Sequence, residues 1–107
     1  MPFNEIDVNK LKAMLDNHID FILLDVRNDN EVLISNISKS IHIPMNDIPN
    51  RFTDLDKSKE IVVYCKSGIR SAKVCEFLNS KNFKLVKNLK GGILSWAEKI
   101  DTSIIVY

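Results

Sequence analysis

Cys65-Lys66-Ser67-Gly68-Ile69-Arg70-Ser71 gathers a thiol, two cations, two hydroxyls and a glycine into one short segment. A cysteine acts as a nucleophile through its thiolate. The pKa of a free thiol, about 8.5, drops to roughly 3.5–7.5 beside cations and helix N-termini. Both conditions are expected here. A β-branched run, Ile61-Val62-Val63-Tyr64, leads into the segment, and a stretch of helical period leaves it from Ser71. The helix turns its positive end and unpaired N–H groups toward the loop, and Lys66 and Arg70 add formal charge. Gly68 lets the backbone curl so that successive N–H groups point inward as a nest for an anion. Ser71 is expected to double as the helix cap. The arrangement suits an anion held over a thiolate, as in attack on thiosulfate or stabilisation of a terminal persulfide.

The remaining reactive residue types are read more plainly. Cys75 falls in the apolar stripe of the helix after the loop and is expected to be a buried structural thiol. His42 alternates with two isoleucines, His18 stands near a helix end, and neither belongs to a motif. With no CxxC or HExxH in the chain, a zinc or iron site has nothing to build on. Asp25 and Arg27 are expected to form a structural pair rather than an acid–base couple. Gly91 and Gly92 suit a turn needing positive φ, with site contact secondary, and Trp96 suits core packing. Lys81, Lys84, Lys87 and Lys90 read as a solvated edge, with a docking patch for an acidic partner as the alternative.

The elements that position these residues follow from periodicity. Asp7 is expected to cap a helix whose apolar face is Val8, Leu11, Met14 and Leu15. Phe21 to Val26 is a continuous apolar strand of the kind covered on both faces. A helical turn is expected over Asp29 to Ile34, a brief strand over Ile41 to Ile43 before Pro44, and a helical turn or short helix over Asn46 to Phe52. A charged loop, Thr53 to Glu60, precedes the strand Ile61 to Tyr64. Ser71 to Ser80 is an amphipathic helix, Phe83 to Val86 a strand, and Ile93 to Ile100 a last helix. Strands alternating with helices imply a parallel sheet flanked by helices, whose site lies beyond the carboxyl ends of the strands, where Cys65 falls.

Composition narrows the function classes. The 107 residues suit one domain spanning 1–107 with its own core. A net charge of +1 from 15 basic and 14 acidic side chains argues against nucleic acid or anionic membrane as partner. No apolar run approaches the ~20 residues of a membrane helix. The opening residues lack the basic-then-apolar pattern of a secretory signal. Two cysteines without a secretory cue point to free thiols in a reducing, cytoplasmic compartment.

IVVYCKSGIRSAKVCEFL and FKLVKNLKGGILSWA, with LLDVRNDNEVLISNISKSIHIP upstream, resemble the rhodanese (sulfurtransferase) family over nearly the whole chain. The tail GGILSWAEKIDTSIIVY is also similar to the rhodanese-like tail domains of the activating enzymes of molybdopterin and thiamine sulfur transfer. The resemblance implies a three-layer α/β domain of about five mainly parallel strands. It implies Cys65 as the sulfur-accepting cysteine, assisted by Arg70, with Lys66, Ser67, Gly68, Ile69 and Ser71 as the cradle and Asp25 and Arg27 bracing it. It implies sulfane sulfur transfer from thiosulfate or a protein persulfide, with a cysteine desulfurase or sulfur-carrier protein as partner and no metal or organic cofactor. Ser35, Asn36 and Lys39 depart from the family's Gly-His and following glycine. Two alternatives stay open: a non-catalytic rhodanese-like interaction module, and a cysteine phosphatase or arsenate reductase. The second is disfavoured because four residues separate Cys65 from Arg70 where the related dual-specificity phosphatases place five.

Overall fold

Along strand β4 (Ile61–Tyr64) the side chains alternate between two apolar clusters, one on each side of a sheet. Ile61 and Val63 face the cluster that holds Val74, Cys75, Leu78 and Phe83, and Cys65 continues that face. Val62 and Tyr64 face the cluster of Leu11, Met14, Ile93 and Trp96. Residues this apolar on both faces must be sandwiched between helices. The computed structural model, which describes residues 3–107, shows that arrangement.

The strands are β1 (Asn4–Ile6), β2 (Ile22–Asp25), β3 (Ile41–His42), β4 and β5 (Val86–Leu89). They form one parallel sheet in the order β1-β5-β4-β2-β3. Helices α1 (Val8–Asp16) and α5 (Gly92–Lys99) cover the Trp96 side, and α4 (Ile69–Ser80) covers the Val74 side with the short α3 (Ile48–Arg51). The small α2 (Asp29–Ile34) follows β2. Among the described residues no helix is long and apolar enough to cross a membrane.

Three expectations change. β5 spans Val86–Leu89 rather than Phe83 to Val86. Phe83 instead closes α4: its N–H reaches the Leu78 carbonyl at 3.0 Å around Asn82, which takes a φ of 70°. β1 is an added edge strand that its mixed residues did not signal; it pairs Asn4–Ile6 with Lys87–Leu89. Finally α4 begins at Ile69, capped by Gly68 in the left-handed conformation, so Ser71 lies inside the helix and is not its cap.

Candidate active site

β4 delivers Cys65 to the carboxyl edge of the sheet, and α4 starts directly above it. The Cys65 sulfur accepts from the Gly68 N–H at 3.1 Å, the Ser71 N–H at 3.4 Å and the Ser71 hydroxyl at 3.3 Å. Gly68, with φ 108°, folds the chain back so that these donors converge. Cys65 is only 1% exposed. Burial pushes its thiol up, but the hydrogen bonds from the Ser71 side chain and from the N–H groups of Ser71, Gly68 and Ser67 outweigh it, and the net shift is downward. Cys75, in the middle of α4, has no such donors; burial pushes its thiol up to about 12. Both cysteines are free thiols.

Ser71 is itself held. Its Oγ lies 2.6 Å from Asn88 Oδ1, and Asn88 Nδ2 donates to the Gly68 carbonyl at 3.1 Å. Asn88, 3% exposed on β5, thus ties both ends of the cradle to the neighbouring strand. Sequence reasoning missed it because β5 was placed too early. A polar residue inside an otherwise buried strand was the signal available.

The second loop, after β5, locks onto the first. The Ile93 and Leu94 N–H groups donate to the carbonyls of Cys65 and Lys66 at 2.9 and 3.1 Å. Gly92 comes so close that a Cβ there would lie 2.5 Å from the Cys65 carbonyl oxygen. Site contact is therefore as much Gly92's role as its φ of 59°.

Arg70 is turned to α2, where its Nη1 and Nη2 donate to the Glu31 carboxylate at 2.6 and 2.9 Å. Lys66 is half-buried, Ser67 and Ile69 exposed, and among the described residues Lys66 makes no ion pair. Asp25 and Arg27 are the buried pair the sequence suggested. Arg27 Nη2 donates to Asp25 Oδ2 at 2.8 Å and to the Ser35 carbonyl at 2.6 Å. The guanidinium also lies over the Tyr64 ring. The pair braces the segment after α2. His42 donates through Nε2 to the Arg27 carbonyl at 2.7 Å, another structural contact. The lysine row divides: Lys87 pairs with Glu60 at 2.6 Å, and Lys81 lies over the rings of Phe52 and Phe77. Among the described residues no group of three or more His, Cys, Asp or Glu could hold a metal.

Beyond the central strand of a parallel α/β sheet, peptide N–H groups thus cradle a buried thiol. Residues 7–99 match the rhodanese-like domain. The chain is 42% identical over 96 residues to the putative sulfurtransferase YtwF of Bacillus subtilis, covering 90% of this chain and 92% of that protein. It is 37% identical over 94 residues to a sulfurtransferase of Allochromatium vinosum, covering 88% of each. The crystal structure of a rhodanese-like domain protein from Staphylococcus aureus superposes with a TM-score of 0.83 at 30% identity, covering 98% of this chain and 99% of that one. The chain belongs to the rhodanese-like domain family, and its likeness to named sulfurtransferases supports an enzymatic role in sulfur transfer.

Proposed function

We propose that this chain is a single-domain sulfurtransferase that carries sulfane sulfur as a persulfide on Cys65. The observation that carries the reading is the ring of donors on Sγ: two peptide N–H groups and the Ser71 hydroxyl. Such a ring stabilises a thiolate before transfer and the anionic terminal sulfur after it. The Cys65 thiolate attacks the outer sulfur of a donor R–S–SH. A new S–S bond forms, the donor's S–S bond breaks, and RS⁻ leaves with the electron pair. An acceptor nucleophile such as cyanide or a thiol then attacks the outer sulfur, the Cys65 S–S bond breaks, and its electron pair regenerates the thiolate. The likeness of the tail to activating-enzyme domains favours a sulfur-carrier protein as partner, with a cysteine desulfurase persulfide or thiosulfate as donor. The Cys65 persulfide would displace the leaving group of the carrier's activated acyl C-terminus, and a second thiol would reduce the acyl disulfide to release the thiocarboxylate. Lys66, Ser67, Gly68 and Ile69 form the mouth through which the sulfur enters, Ser71 lies buried behind it against Sγ, and Arg70 fixes that mouth against α2. Free thiols suit a reducing, cytoplasmic setting.

Mass spectrometry after incubation with a sulfane donor tests this. An adduct of ~32 Da on Cys65, absent in Cys65→Ser, is expected. A protein that gains no adduct from any donor is an interaction module instead. Aryl phosphate turnover lost in Cys65→Ser makes it a phosphatase.

A further inference from the structure

Glu31 plays no part in the relay just described, yet it is the acidic side chain bound to the cysteine loop. It grips both ends of the Arg70 guanidinium. The grip is pre-set, because Glu31 Oε1 also accepts the Asn28 N–H at 3.0 Å in a capping box that starts α2. Glu31 is 17% exposed and Arg70 28%, so water screens the pair only partly. Once Cys65 is ionised, the formal charges of the two loops sum to zero: Lys66 and Arg70 against Glu31 and the thiolate. Beside the exposed Ser67, two apolar side chains of the loops are also exposed. Ile69 is 69% exposed, and Leu94, whose N–H binds the Lys66 carbonyl, is 41% exposed.

Resting on the persulfide reading, we propose that Glu31 sets the donor class of the site. By holding Arg70 it withdraws one of the two loop cations, so that the site prefers sulfane sulfur borne on a singly charged or organic group to sulfane sulfur borne on an inorganic dianion. Thiosulfate carries its charge directly on the group bonded to the transferred sulfur. It must therefore bring that charge toward a carboxylate and a thiolate, with Arg70 already held and Lys66, among the described residues, the one loop cation outside an ion pair to receive it.

Two probes isolate that charge. With thiosulfate, the thiolate bonds to the outer sulfur and sulfite leaves with the electron pair of the broken S–S bond. With methanethiosulfonate anion the same bond forms, and methanesulfinate leaves. The second donor has one charge fewer and a methyl group in place of an oxygen. Wild type is expected to favour methanethiosulfonate in kcat/KM by about tenfold or more. Glu31→Gln frees the Arg70 charge and should lower the KM for thiosulfate severalfold, narrowing the ratio. Structural damage cannot produce that gain. Should the variant fold poorly, the wild-type salt response decides: kcat/KM for thiosulfate should hold or rise with ionic strength, since no net attraction is screened. Equal or better use of thiosulfate by wild type, an unchanged donor ratio in folded Glu31→Gln, or a steep fall with salt overturns the assignment but leaves the relay standing. Absence of a Cys65 adduct from both donors overturns the relay and this proposal with it.

Discussion

Ser71 has one hydroxyl proton and two acceptors, Cys65 Sγ at 3.3 Å and Asn88 Oδ1 at 2.6 Å. The neutral thiol leaves that proton to Asn88, and the thiolate draws it away. Ser71→Ala is expected to raise the Cys65 pKa by roughly one unit and to move the acid limb of the kcat/KM profile upward with it. Asn88→Asp should raise it further, because a carboxylate keeps the Ser71 proton and adds negative charge near the thiolate. Ultraviolet titration of the thiolate measures both, and an unmoved midpoint in Asn88→Asp would remove this residue from the account of the site. The Cys65 pKa lies below its ordinary value, so the stability it contributes is complete above that value and fades as pH falls through the folded one. Replacing Cys65 with Ala should flatten that part of the stability profile, read by urea midpoints across the same range.

Between β2 and β3, two features decide how firmly α2, and with it Glu31, is presented to the loop. The first is the Asp25–Arg27 pair, buried at 0% and 1% exposure. Asp25→Asn leaves the guanidinium charge buried without its partner, and a loss of about 3–5 kcal/mol is expected, measured by denaturant unfolding. A loss below about 1 kcal/mol would mean that the pair braces little. The second is Lys39, which takes a φ of 73°. The family's glycine at this turn is thus explained, and Lys39→Gly is expected to stabilise by roughly 0.5–1 kcal/mol through relief of left-handed strain. Ser35, by contrast, has an extended φ of −164° that any residue adopts, and its carbonyl still receives Arg27. That departure costs the backbone nothing.

Across the whole molecule, the functional loops are joined by charge and by close backbone contact. Glu31 is held down at about 2, chiefly by its hydrogen bond from Arg70, with burial opposing. Its unfolded value lies near 4.3, so the stability it lends is present above that pH and lost as pH falls toward 2. Acid titration should therefore loosen the α2–α4 contact in that window, and Glu31→Gln should lose the effect; an identical acid transition in the variant would place the loss elsewhere. Cys75 reports on the core as a whole. With 0% exposure and a raised pKa, it should react with alkylating agents only as fast as the chain unfolds. Modification in strong excess of the unfolding rate would show a local opening of α4.

The sequence alone determined the elements whose patterns are local. α2 spans Asp29–Ile34 and β4 Ile61–Tyr64 as read: β4 writes its burial into a continuous apolar run, and α2, which has no buried residue, is held by its local capping box. It also singled out the cysteine loop, since a glycine, cations and hydroxyls packed beside a thiol is a local signature. Tertiary structure decided what depends on partners distant in the chain. β1 exists because β5 offers it an edge, and β5 carries Lys87 and Asn88 because Glu60 and the Gly68–Ser71 cradle pair with them. Arg70 faces Glu31, 39 residues away, rather than the sulfur. Periodicity measures which face is buried; it carries no information about which polar group waits on the other side.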